Sequence, residues 1–124
     1  MIEATNRRRA VQALLGLSLL PFAACHSYQV QTTVINHTGS AIQLLEVDYP
    51  SASFGAGTLA ADASLPYSIQ MRGAGALKVQ YTAANGQQVT IDGPPLAEHQ
   101  EGRLEIVLLP GGKAEFHPEL TPQP

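Results

Sequence analysis

"ALKVQYTAANGQQVTID", residues Ala76–Asp92, decides the fold. Leu77, Val79, Tyr81 and Ala83 alternate with Lys78, Gln80 and Thr82, so one face of the segment is apolar and the other polar. A period of two is the signature of a half-buried strand. The dipeptide Asn85-Gly86 follows, and it predicts a type I′ hairpin turn with positive φ at both central residues. Gln87–Asp92 then returns with Val89 and Ile91 on the inward face. A hairpin with one apolar face must bury it against a second layer.

The same pattern spreads outward from this hairpin. Toward the amino terminus, Leu65–Met71 puts Leu65, Tyr67, Ile69 and Met71 on one face. Ala41–Tyr49 is a strand whose apolar parity shifts from Ile42 and Leu44 to Leu45, Val47 and Tyr49, which predicts a β-bulge. Tyr28–Asn36 alternates around β-branched residues, and Asn36–Ser40 reads as a turn. Pro50–Gly57, "PSASFGAG", reads as a loop of small residues, followed by a short edge strand at Thr58–Ala60. Toward the carboxyl terminus, Gly93-Pro94-Pro95 reads as a strand stop and Leu96–Gly102 as a polar connection. Arg103–Pro110 is a strand with Leu104, Ile106 and Leu108 inward. Gly111-Gly112 is a turn, Lys113–His117 a final short strand, and residues 118–124 a proline-rich tail.

Seven or eight short strands with turns between them and no helix predict an all-β fold. The expected form is a small antiparallel β-sandwich, immunoglobulin- or fibronectin-III-like in size and strand number. The paired cysteines and tryptophan of true immunoglobulin domains are absent from the sequence. A transthyretin-like sandwich or a small barrel is the alternative.

Before the strands lies a different kind of sequence. Asn6–Arg9 is positively charged, Ala10–Leu20 is an unbroken apolar run apart from Gln12 and Ser18, and Pro21–Ala24 ends in small residues. The run is about half the roughly 20 residues a spanning helix needs. A charged start, a short apolar run and a small-residue end describe an export signal. The only cysteine of the 124 residues, Cys25, stands directly after it. Phe22-Ala23-Ala24-Cys25 resembles the lipobox of bacterial lipoproteins, with Phe22 where leucine is usual.

That resemblance implies cleavage between Ala24 and Cys25 and a diacylglyceryl thioether on the Cys25 sulfur. The organisation expected is a signal peptide over 1–24, a lipidated tether over 25–28, the sandwich over 29–117 and the tail over 118–124. Two or three chains on Cys25 would anchor stably, whereas one binds membranes only marginally. His26, rather than aspartate, after the cysteine points by the same resemblance to an outer membrane, with the domain facing the periplasm.

Charge and motif content restrict the function further. Arg7, Arg8 and Arg9 lie in the leader, so the remaining body is more acidic than the formal net charge of −3 suggests. It carries no basic patch for nucleic acid. A lone cysteine excludes an internal disulfide, so the core alone must hold the domain. Glu98-His99-Gln100-Glu101 gathers two carboxylates and an imidazole, but a solvated turn accounts for it. Glu46 and Asp48 share a strand face, as a carboxylate pair for acid–base work would, but a solvent face opposite Leu45, Val47 and Tyr49 fits the alternation without further assumptions.

No serine sits in a nucleophile-elbow setting, and no glycine pair opens a helix that would hold a phosphate. The sequence therefore predicts a non-enzymatic domain without cofactor or metal. One stretch has the composition of a binding loop, with Tyr49, Ser51, Ser53 and Phe54 as its candidate residues. The expected partners are the membrane, through Cys25, and another envelope protein. A periplasmic small-ligand or metal binder is the alternative.

Overall fold

The computed structural model describes residues 28–121. Eight strands follow in chain order: β1 Val30–Asn36, β2 Ile42–Tyr49, β3 Ala52–Leu59, β4 Ser64–Ile69, β5 Gly75–Thr82, β6 Gln88–Leu96, β7 Gly102–Leu109 and β8 Lys113–Leu120. They form two four-stranded sheets, β4-β1-β7-β8 and β3-β2-β5-β6. The expected small β-sandwich is the fold found.

The core lies between the sheets and follows the alternation. Val30 and Val34 of β1, Leu77, Val79 and Tyr81 of β5, and Leu104, Ile106 and Leu108 of β7 are all buried. Burying a side chain of this size contributes roughly 1.5–3 kcal/mol, which the conformational entropy of ordering the chain largely offsets.

The strand order carries one feature that alternation does not reveal. Strands β1 and β7 run parallel, with Val30 beside Gly102 and Asn36 beside Leu108, while every other pairing is antiparallel. Successive strands β1 and β2 lie in opposite sheets. An immunoglobulin domain instead keeps its first two strands in one sheet. The order is that of a two-sheet sandwich with four strands in each sheet.

The bulge expected in β2 is present. Pairing of β2 with β5 shifts register between Gln43 and Glu46, and Leu44 takes φ of 52°. The extra residue lets Ile42 and Leu45 both face the core and turns Leu44 out to solvent.

Four segments differ from their sequence reading. Ala52–Leu59 is an edge strand rather than mostly loop: Pro50-Ser51 makes a two-residue turn, and Tyr49 pairs with Ala52 through to Ile42 with Leu59. Small residues with weak strand propensity are held there by the register of the hairpin. Strand β6 continues through Pro94 and Pro95 to Leu96, and β8 through Pro118 to Leu120. Both are edge strands, where proline is tolerated, and the pairing of β6 with β5 shifts register at Gly93-Pro94, so the two adjacent prolines do not interrupt a regular ladder.

The Asn85-Gly86 turn is not type I′, because only Gly86 has positive φ, 84°. Ala83 and Gln87 close the hairpin, with Ala83 N–H donating to Gln87 O at 2.8 Å. The loop is therefore three residues long, ending in a left-handed glycine.

Candidate functional site

Strand direction sorts the turns onto two ends of the sandwich. Chain entry at Tyr28, the Pro50-Ser51 turn, the 97–101 turn and Thr121 share one end, since β1 begins beside Ile69 and Gly102 and Gly102 pairs with Leu120. At that end the Tyr28 ring packs on His99 with centroids 4.9 Å apart. The turns at 37–41, 60–63, 83–87 and 110–112 share the opposite end.

The expected binding residues lie on the β2–β3 hairpin and do not form a loop. Ser51 Oγ donates to Gln70 O at 3.2 Å, which fixes the turn against the segment after β4. Ser53 is exposed and sits across from Asp48. Phe54 is 7% exposed and belongs to the core. Its ring stacks on Tyr67 of β4 at 4.5 Å and 7°, and stands 6.4 Å from the half-buried Tyr49. The three rings close the side of the sandwich where edge strands β3 and β4 adjoin. Burial, with the nearby Tyr67, pushes the Tyr49 hydroxyl pKa up. Ala24 and Cys25 lie outside the described residues.

Glu46 and Asp48 project from the outer face of β2. A hydrogen bond and charge repulsion from Asp48 raise the Glu46 pKa, opposed by Lys78, and Gln80 Nε2 donates to Asp48 Oδ2 at 3.4 Å. Because its folded pKa is raised, Glu46 favours the folded state more as pH falls through that raised pKa toward the unfolded value. Glu46→Gln is accordingly expected to raise the melting temperature slightly at pH 7, with the gain gone near pH 4, roughly where an unfolded glutamate protonates. Melting curves at the two pH values check this.

His99 and His117 each lie beside a glutamate of the same segment. His99 Nε2 is 3.8 Å from Glu98 Oε1, and His117 Nε2 is 3.2 Å from Glu115 Oε2, both pairs exposed. Among the described residues no group of three or more His, Cys, Asp or Glu is placed to hold a metal ion.

A cleft of about 370 Å³ opens at the end away from Tyr28. Ile42, Val89 and Leu109 give it apolar walls, while Thr38, Asn85 and Gln87 supply hydroxyl and amide groups. No charged side chain lines it. Tyr81 also lines it, and burial raises its hydroxyl pKa. The sequence reading missed this cleft because its residues come from three separate segments, 38–42, 81–89 and 109–112, brought together only by the end-to-end order of the strands.

Neither a protein-family model nor a curated protein matches this chain. Among solved structures, the NMR structure of a protein from Eubacterium rectale is similar, with a TM-score of 0.52 at 18% sequence identity, covering 72% of this chain and 86% of that one. The likeness is one of fold.

Proposed function

We propose that this chain is a lipid-anchored protein of a bacterial cell envelope whose sandwich is a non-enzymatic interaction domain for another envelope protein. The anchor is the diacylglyceryl group on Cys25, and the membrane is an outer membrane with the domain facing the periplasm. The leader pattern through Phe22-Ala23-Ala24-Cys25 supports the anchor. The observation that supports the interaction role is the pair of exposed apolar side chains beside edge strand β3. Leu44 is 68% and Tyr67 45% exposed, and both border the uncharged edge strand β3. Leu44 flanks β3 on its outer side and Tyr67 on its inner side, so a chain laid along this edge would cover an apolar group on each face.

The sandwich geometry suits a tethered domain. Tyr28 is three residues from Cys25, so the tether leaves one end and the long flanks and far end stand clear of the lipid. Cys25→Ser is expected to move the protein from the membrane fraction to the soluble or unprocessed pool. Unchanged fractionation would rule out the anchor. The uncharged cleft at the far end favours a second reading, a small neutral ligand. A melting-temperature rise with such a ligand, abolished by a bulky replacement of Ala83, would support it over a protein partner.

A further inference from the structure

The sandwich has four edge strands, and three are blocked against pairing. Strand β4 carries Pro66, β6 carries Asp92, Pro94 and Pro95, and β8 carries Lys113, Glu115, Pro118 and Glu119. Charges and prolines are the usual protection of an exposed edge. Strand β3, "ASFGAGTL", has neither. On its inner side the buried Phe54 stacks on the part-exposed Tyr67, which leaves an apolar step at the flank where β3 and β4 adjoin. On its outer side stand the bulged Leu44 and the carboxylates of Glu46 and Asp48, one strand further in. Only Gly55 and Ser53 of β3 stand between those carboxylates and the free edge.

We propose that β3 is the docking edge, and that its occupant is an extended strand of another envelope protein with apolar residues alternating with lysine or arginine. This rests on the interaction role proposed above. Such a strand continues the β3-β2-β5-β6 sheet by main-chain hydrogen bonds, the mode known as β-strand addition. Its apolar side chains cover Tyr67 and Phe54. Its basic side chains point to the outer face. There, neighbouring strands are about 5 Å apart, so a lysine or arginine reaches over Gly55 and Ser53 to Glu46 and Asp48.

Charge complementarity selects this occupant over a second copy of the chain. Strand β3 contributes no cation, so self-pairing would bring two Glu46–Asp48 pairs toward one another with only the Lys78 of each copy, across from Asp48 on β5, to offset them. Antiparallel self-pairing would also put the two tethers at opposite ends of the dimer, which two anchors in one membrane do not permit.

Gly57 supplies a clean block. A Cβ there meets nothing within 4 Å, so Gly57→Lys places a cation on the edge without disturbing the fold. The test uses the whole chain in its own cells, with a photoreactive side chain at Ser53 of β3, at Thr90 of β6 or at Gln87 in the far-end cleft. The Ser53 probe is expected to crosslink a segment of another protein with basic residues at alternating positions. Gly57→Lys should reduce that yield by about tenfold, on the order of the loss expected when a charge blocks a strand edge. Glu46→Gln with Asp48→Asn should reduce it several-fold, and Thr90 should give none.

A crosslink from Ser53 to a second copy, or to a segment without cations, overturns the proposal. A crosslink from Gln87 but none from Ser53 overturns the edge while leaving the interaction role intact. Silence at all three positions overturns both.

Discussion

Asn36→Ala is expected to destabilise the domain by about 3–4 kcal/mol, the largest effect of any polar substitution in the sandwich. Asn36 is fully buried at the end of β1. Its Nδ2 donates to Ser40 O at 2.8 Å, Leu59 O at 3.0 Å and Ala60 O at 3.1 Å. Its Oδ1 accepts from Thr38 N at 3.0 Å and Thr38 Oγ1 at 2.7 Å. One amide thus ties the β1–β2 turn to the β3–β4 connection across the two sheets. The main chain repeats the link, with Asn36 N–H donating to Ala63 O and Asp62 N–H to Asn36 O.

Alanine removes all of these bonds, leaving the buried Leu59 carbonyl and the part-buried Ser40 and Ala60 carbonyls without their donor, and a buried polar group left unpaired costs about 1–3 kcal/mol. For a domain of this size the melting temperature should fall by roughly 15–25 °C. Asn36→Asp keeps the shape but loses both donors and sets a carboxylate against three carbonyl oxygens, so it should be worse at neutral pH than at acid pH. A chemical melt of each variant decides this. A loss under about 1 kcal/mol for Asn36→Ala would show that the network is not a structural tie.

Gly102→Ala should cost about 3 kcal/mol, from two causes that can be separated. Gly102 opens β7 with φ of 134°, a region that a side chain resists. A Cβ there would also lie 2.1 Å from Glu119 O of β8, with backbone rather than a flexible side chain in the way. The β7–β8 pair would have to part beside Leu120, and the hydrogen bond from Gly102 N to Gln29 O at 3.2 Å would go with it. Gly39→Ala is the control. Gly39 has φ of 91° with nothing within 4 Å of the added carbon, so it meets the conformational cost alone, about 1 kcal/mol. Amide exchange should show the Gly102→Ala loss concentrated at the chain-entry end. Equal losses in the two variants would mean that overlap with Glu119 plays no part.

Much of the fold is legible in the residues because the central strands β1, β5 and β7 keep their inward apolar alternation. Strands β5 and β7 carry Leu77, Val79 and Tyr81, and Leu104, Ile106 and Leu108, on one face, and those residues form the centre of the core. The bulge in β2 is legible for the same reason, since the parity slips at Leu44. What the sequence hides is non-local. "ASFGAGTL" has weak strand propensity and becomes β3 only because β2 supplies a register.

Pro94, Pro95 and Pro118 signal interruption, and they are tolerated because β6 and β8 lie at sheet edges. Asn36 looks like an ordinary turn residue, and nothing local announces that Leu59 and Ala60, more than twenty positions later, bring their carbonyls to it. The candidate residues divided along the same line. Tyr49 and Phe54 serve the closed side of the sandwich, Ser51 fixes a turn, and Ser53 lies on the free edge that alternation alone does not expose.

The proposed role depends first on the anchor, and the mass of the amino-terminal peptide of the protein taken from membranes tests it most directly. A peptide beginning at Cys25, with a diacylglyceryl thioether on its sulfur, is predicted. A peptide that begins elsewhere, or a Cys25 with a free thiol, would contradict the envelope role.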